Sequence, residues 1–524
     1  MNSNQPDRRK FLGRVGQGML VATVGSSLAQ SLGVSTSYAA DEAPQPLTFG
    51  KIEPLVAAMQ ETPLEKLQQL LVGRIKSGES NLTQLIQAGA LANARSFGGE
   101  DYVGFHTVMA MKPAFLMAQQ LPAERSALPV LKVLYRNTQQ IQKAGGRENE
   151  KLKKVEPAEL SPEIATSELL KKAVNNLDRD SAEKIFAAIA KNSPEAAWND
   201  LLHVVEGGAD VHRIVLAHRS WDTLDLIGMD HAETMLRQSL RYCLRVEKGL
   251  SKHAAGMRAM LPKLLDDYKL LERPAGDKAA EDGLVAEMSQ VIFESTPEQA
   301  ANAVASSLAE GIAPSAIAEA ISLATNQLVL RDVGRTSDQV KPGKQEGSVH
   351  GDSIGVHASD SANAWRHIAQ VSEPRHAAAS LILAGYQAAR DRAQRGGKFL
   401  EWKPRPYEEE VAALGKKSPE QLLTGLDGAI RDQDQAQACV FMHVYGAAGH
   451  EVKPAVDLLL RHATTVDGAL HAEKYFVTTT GDFADSRPAF RWQHLVGLAR
   501  VTASEFGING PGYKESCELL KVEV

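Results

Sequence analysis

Apolar residues recur at steps of three and four along almost the whole chain, as in LEKLQQLLVGRIKSG (64–78), SELLKKAVNNL (167–177), AEKIFAAIAKN (182–192) and AIAEAISLATNQLVL (316–330). This spacing puts the apolar side chains on one stripe of a 3.6-residue helix, which must be buried against other helices. Alternating β-branched runs and hairpin dipeptides are absent and aromatic residues make up only 5%, so strands are not expected. With 524 residues, 43% hydrophobic and 23% charged, the chain has the composition of a globular protein and is long enough to bury a large core. The expected fold class is all-α. Helix starts such as Ser161-Pro162-Glu163 and Thr296-Pro297-Glu298 pair a capping hydroxyl with proline at the first helical position.

The chain also resembles itself. Gly78, Ala88, Leu91, Ala92, His106 in GFH, Glu124-Arg125 and Tyr135 are followed in the same order by Gly311, Ala320, Leu323, Ala324, His357 in GVH, Glu373-Pro374-Arg375 and Tyr386. One insertion, Gly334 to Asp352, interrupts the second copy. Further on, NDLLHVVEGGADVH (His203, His212) faces CVFMHVYGAAGH (His443, His450), and IGMDHAE (His231) faces DGALHAE (His471). The reading is an internal duplication that gives two similar helical halves, 40–285 and 286–524, in a pseudo-twofold arrangement.

The first 39 residues read as an address. Arg8 and Arg9 precede Phe11 and Leu12 in DRRKFLG, a weakly apolar Gly- and Ser-rich stretch follows, and Ser37-Tyr38-Ala39 offers a cleavage site. This pattern is that of a twin-arginine signal peptide, so a periplasmic or secreted protein exported in the folded state is expected. No segment reaches 18 uncharged apolar residues, which argues against a stable membrane anchor. The formal charge is −6, and neither a basic stripe nor a nucleic-acid-binding motif is present, so the partner expected is a small-molecule substrate and not nucleic acid. Oligomeric state is left open.

Three cysteines, Cys243, Cys439 and Cys517, exclude a disulfide framework and a cysteine metal cluster. GxGxxG after a strand, the P-loop, HExxH and CxxCH are all missing. What remains is histidine, 15 in all. Eight fall in register between the halves, and His106, His203, His212, His231, His357, His443, His450 and His471 are the candidate metal ligands. An imidazole within an apolar helix has two ring nitrogens to satisfy and is either hydrogen-bonded and neutral or bound to metal. The Gly207-Gly208 turn is expected to let His203 and His212 face each other, and Gly446 and Gly449 to do the same for His443 and His450. Glu233 and Glu473, two residues beyond their histidines, lie about 200° around a helix and are expected to point away from the shared ligand.

Imidazole-rich sites suit iron, copper or zinc, and a non-covalent haem is an open alternative. A ring not bound to metal would serve as general base, with His106, His231, His357 and His471 the catalytic candidates. The expected function is thus that of an exported metal-dependent enzyme, an oxidoreductase, with a histidine-lined site between two helical halves. A haem- or small-molecule-binding protein without turnover and a structural helical scaffold stay open beside it.

GFHTVMA around His106 and LHAEK around His471 resemble the pattern of questin oxidase-like proteins. The resemblance implies oxygen-dependent oxidation of a bulky aromatic or polyketide-like substrate, with His106 and His471 as participants. Taken whole, the chain resembles exported, all-helical, histidine-rich bacterial proteins of unassigned activity.

Overall fold

The computed structural model describes residues 45–250 and 254–524; the expected signal segment, 1–39, lies outside them. Among the described residues there are 24 α-helices and no β-strand, so the chain is all-α. No described helix is long and apolar enough to cross a membrane. Local chemistry sets many of the helix starts. Asn81 accepts from Gln84 N while Gln84 returns a bond to Asn81 N, and Thr296 with Gln299 and Ser418 with Gln421 repeat this reciprocal cap.

Two runs of helices share one order. Leu82–Phe97, Tyr102–Ala118 and Leu128–Lys143 are matched by Pro314–Arg331, Ile354–Val371 and Pro374–Arg392. Later, Arg179–Asn192, Pro194–Val205, Val211–Asp222 and Ala232–Leu250 are matched by Gln435–Ala447, Val452–Thr465, His471–Asp485 and Trp492–Glu505. Arg179–Asn192 and Gln435–Ala447 even begin alike: an aspartate cap, Asp178 or Asp434, follows a non-glycine residue in the left-handed region, Leu177 (φ 58°) or Gln433 (φ 57°). The boundary expected at 285/286 falls inside the helix Asp282–Glu294. The apolar core is not divided there, since one cluster runs from Phe49 through Phe399 to Leu470 and a second gathers residues such as Val329, Leu426, Leu459 and Leu495.

Four helices, α1 (Tyr102–Ala118), α2 (Val211–Asp222), α3 (Ile354–Val371) and α4 (His471–Asp485), pack as a closed ring in which α1 touches α2 and α4, and α3 touches α2 and α4. Two of these seams, α1 with α4 and α2 with α3, join distant parts of the chain. Packing of this kind brings residues more than 350 positions apart into one layer.

Candidate functional site

Each helix of the ring contributes one histidine near its N-terminal end. His106 is the fifth residue of α1, His212 the second of α2, His357 the fourth of α3 and His471 the first of α4. Their rings form a closed cycle, with centroid separations of 4.9 Å for His106–His212, 5.7 Å for His212–His357, 5.2 Å for His357–His471 and 5.2 Å for His471–His106. The Nε2 atoms of His357 and His471 are 3.2 Å apart. Those of His106 and His212 are buried without a hydrogen-bond partner.

The opposite ring edges are fixed by main chain. His106 Nδ1 lies 2.7 Å from Tyr102 O, one turn earlier on α1. His471 Nδ1 lies 3.1 Å from Ala469 O and 3.3 Å from Gly468 O. A carbonyl can only accept, so both rings carry their proton on Nδ1 and leave Nε2 as a bare donor pair. The turn that presents those carbonyls is strained: Ala469 and Leu470 are both left-handed, at φ 48° and 67°. Such conformations in non-glycine residues persist where surrounding structure enforces them. Gly351, from the inserted loop, packs directly on His471, where a Cβ would stand 2.6 Å from Glu505 Oε1.

Aromatic rings cover one side of the cycle. Phe105 stacks on His106 at 4.9 Å, Tyr102 tilts over it at 4.4 Å, and Tyr242 donates its hydroxyl to Asp210 Oδ2 at 2.6 Å beside His212. Tyr102 is 58% exposed and so stands at the mouth of the site. Desolvation is the main reason these imidazoles stay neutral. Burial, then the charge of Lys474, lowers His106 to about 2 and His357 to about 3, and the same two causes push His471 well down. Burial lowers His212 to about 4 against the opposing pull of Asp210.

Lys474 lies one turn after His471 and is 2% exposed; burial lowers its ammonium to about 8, against the pull of Asp360, which leaves it mostly charged at neutral pH. Beside the N-terminus of α3 a cavity of about 460 Å³ is lined by Arg335, Lys341, His350, Asp352, Ser353 and Arg395 among others. Asp352 is held by Arg335 and Lys344, and these partners bring its carboxyl down to about 2 against burial. His350 Nδ1 is 3.2 Å from Glu505 Oε1 but off the hydrogen-bond direction, and both its ring nitrogens are unpartnered.

The other four candidate histidines are elsewhere. His203 does not face His212: it meets His376 edge-on at 4.5 Å, and His376 Nδ1 is 2.5 Å from Glu206 Oε1. The glycine turn sends the two rings to different neighbours, because His203 packs toward the helix Pro374–Arg392 while His212 opens α2. His231 contacts Gln87 and Phe49. His443 is exposed on its helix, and His450 sits in a loop against Tyr445. His212 and His471 meet in the cycle, whereas His450 and His231, with which the sequence pairs them, lie outside it.

Glu473 points away from the His471 ring, as the 200° offset requires, and pairs with Lys132 Nζ at 2.7 Å in full burial. Glu233 pairs with Arg237. Lys474, Tyr102 and His350 were not singled out in the sequence, although the three-residue step from His471 to Lys474 places both on one helix face.

Chemically, four neutral imidazoles in one cycle are a nitrogen-only donor set of the type that suits zinc, copper, iron or nickel. As placed, no group of three or more His, Cys, Asp or Glu among the described residues is arranged to hold a metal ion. No protein-family model matches the chain, and no curated protein or solved structure matches it.

Proposed function

We propose that the protein is an exported metal-dependent enzyme, an oxidoreductase acting on a small molecule, whose iron, copper or zinc is held by His106, His212, His357 and His471. The observation that carries this reading is the pair of buried, partnerless Nε2 atoms on His106 and His212, facing the His357–His471 contact. Leaving such a nitrogen unsatisfied costs about 1–3 kcal/mol, and an ion at the centre removes that cost. The carbonyls on the Nδ1 edges of His106 and His471 support it, since metal-bound imidazoles donate their second N–H in this way.

Four neutral ligands leave the ion's charge unbalanced, and iron or copper can take a fifth ligand beyond them, which a reactive centre needs. Ring centroids about 5 Å apart around the cycle give a porphyrin no plane to occupy, so a non-haem ion is the better fit. Access runs past the exposed Tyr102. We also read the matched helix order as an internal duplication, each half supplying two ligands, and the Arg8-Arg9 segment as the export signal that lets a protein leave the cytoplasm already loaded.

One contact favours a second reading. The 3.2 Å His357–His471 approach is also a hydrogen bond that a metal-free scaffold would keep. Elemental analysis of protein purified after native export separates the two readings. Near-stoichiometric iron, copper or zinc supports the enzyme; folded protein without metal, which takes up none on incubation, removes it.

A further inference from the structure

The feature of the site that metal ligation does not use is Lys474. Its side chain shares a face of α4 with His471, it is 2% exposed, and among the described residues its Nζ forms no hydrogen bond and no ion pair. The carboxylate that acts on it most strongly is Asp360, three residues after His357 on α3. Yet Asp360 is not within ion-pair distance of Nζ, and its Oδ1 already accepts from Thr478 Oγ1 at 3.0 Å. An ammonium this deep in the fold is costly unless a counter-charge comes within reach, and no carboxylate among the described residues stands at ion-pair distance from it.

The backbone adds to the same field. All four histidines lie within the first turn and a half of their helices, so four N-terminal ends converge on one layer. Each carries about half a positive charge. Asp101, Asp210 and Ser353 cap the first three; α4 has no side-chain cap. The orphaned Nε2 atoms of His106 and His212 open into this layer.

We infer that the site takes a small monoanion, a carboxylate or a group of similar size and charge, held between the Lys474 ammonium and the centre of the four imidazoles. The inference rests on the metal reading above and deepens it: with four neutral ligands, an ion needs an anionic partner, and Lys474 is placed to select one. The carboxylate belongs either to a free anion or to an aromatic substrate lying under Tyr102 and Phe105, and the two sources are separable.

The test uses the full mature chain loaded with Co(II), whose visible bands report coordination. Azide, formate and benzoate are titrated in turn. Saturable binding is expected for the unaltered protein, and Lys474→Met should weaken it about tenfold or more with cobalt content unchanged, as loss of a charged hydrogen-bond donor implies. Lys474→Arg should stay within about threefold. Tighter binding of benzoate than of formate assigns the anion to an aromatic substrate, and the reverse order assigns it to a free anion.

Equal anion affinity in Lys474→Met, or no anion binding by cobalt-loaded protein, overturns the inference alone. Loss of cobalt itself in Lys474→Met, with an intact melting transition, also overturns it by making Lys474 a ligand. Failure of the unaltered protein to take up cobalt removes the metal reading and this inference together. Should Lys474→Met not fold, Lys474→Gln replaces it, and the anion titration of the unaltered protein still decides.

Discussion

His357 Nε2 lies 3.2 Å from His471 Nε2 across the seam between α3 and α4. Because His471 spends its N–H on the carbonyls of Gly468 and Ala469, His357 must be the donor in that contact when no ion is present. An ion bound by both rings requires His357 to move its proton to Nδ1, a change of tautomer without a change of charge. The four rings are thus mutually satisfied in part and orphaned in part.

Removing one ring should empty the site. His357→Gln is expected to bring bound metal far below stoichiometric, while His443→Gln and His450→Gln, at positions outside the cycle, leave it unchanged. Elemental analysis of the three purified variants checks this; equal metal content in all of them would reassign the site.

Gly351 allows the inserted loop to lie on His471. In Gly351→Ala the new methyl meets His471 and Glu505 Oε1, with no room for either to retreat without moving the ring. Overpacking of this kind costs about 1–3 kcal/mol. Denaturant unfolding should show that loss, and metal uptake should fall with it because His471 is displaced.

Ala469 is left-handed at φ 48°, two residues before His471. Glycine adopts that conformation without the Cβ clash, so Ala469→Gly should stabilise the fold by about 1 kcal/mol. The same change frees the turn that aims His471, and weaker metal binding is the expected companion. A stabilised variant with unchanged affinity would show that the strained turn does not position the ring.

His218, on α2, is buried, stacked on His367 at 4.9 Å, and has an unpartnered Nε2. Burial, then the charge of Arg219, holds its imidazole well below 6.5. The folded state therefore keeps it neutral while the unfolded chain takes up a proton below that pH. Stability attributable to this group is present above pH 6.5 and is lost as pH falls from there toward the folded value, by at most about 1.4 kcal/mol per pH unit. Unfolding free energies at pH 7.5, 6 and 5 should fall less steeply in His218→Gln than in the unaltered protein, whatever the offset between them. Parallel slopes would contradict a neutral buried imidazole.

The sequence by itself determined the all-α class and the cap at Thr296, because apolar periodicity and short-range hydrogen bonding are encoded within a few neighbouring residues; the start read at Ser161 falls in a turn, and that helix begins at Thr166. The sequence also brought out His106, His212, His357 and His471, half of the set of eight. Which of the eight meet was decided by tertiary structure alone. An imidazole's direction depends on which helix face it occupies and on how the seams α1–α4 and α2–α3 close, and these are relations between segments hundreds of residues apart. His231 and His450 matched their counterparts in letters but lie outside the ring of four helices. Lys474 was visible one turn from His471; that it lies in the interior with no carboxylate at ion-pair distance is a property of the packed fold, where each neighbour's distance, and not its place in the chain, sets the energy.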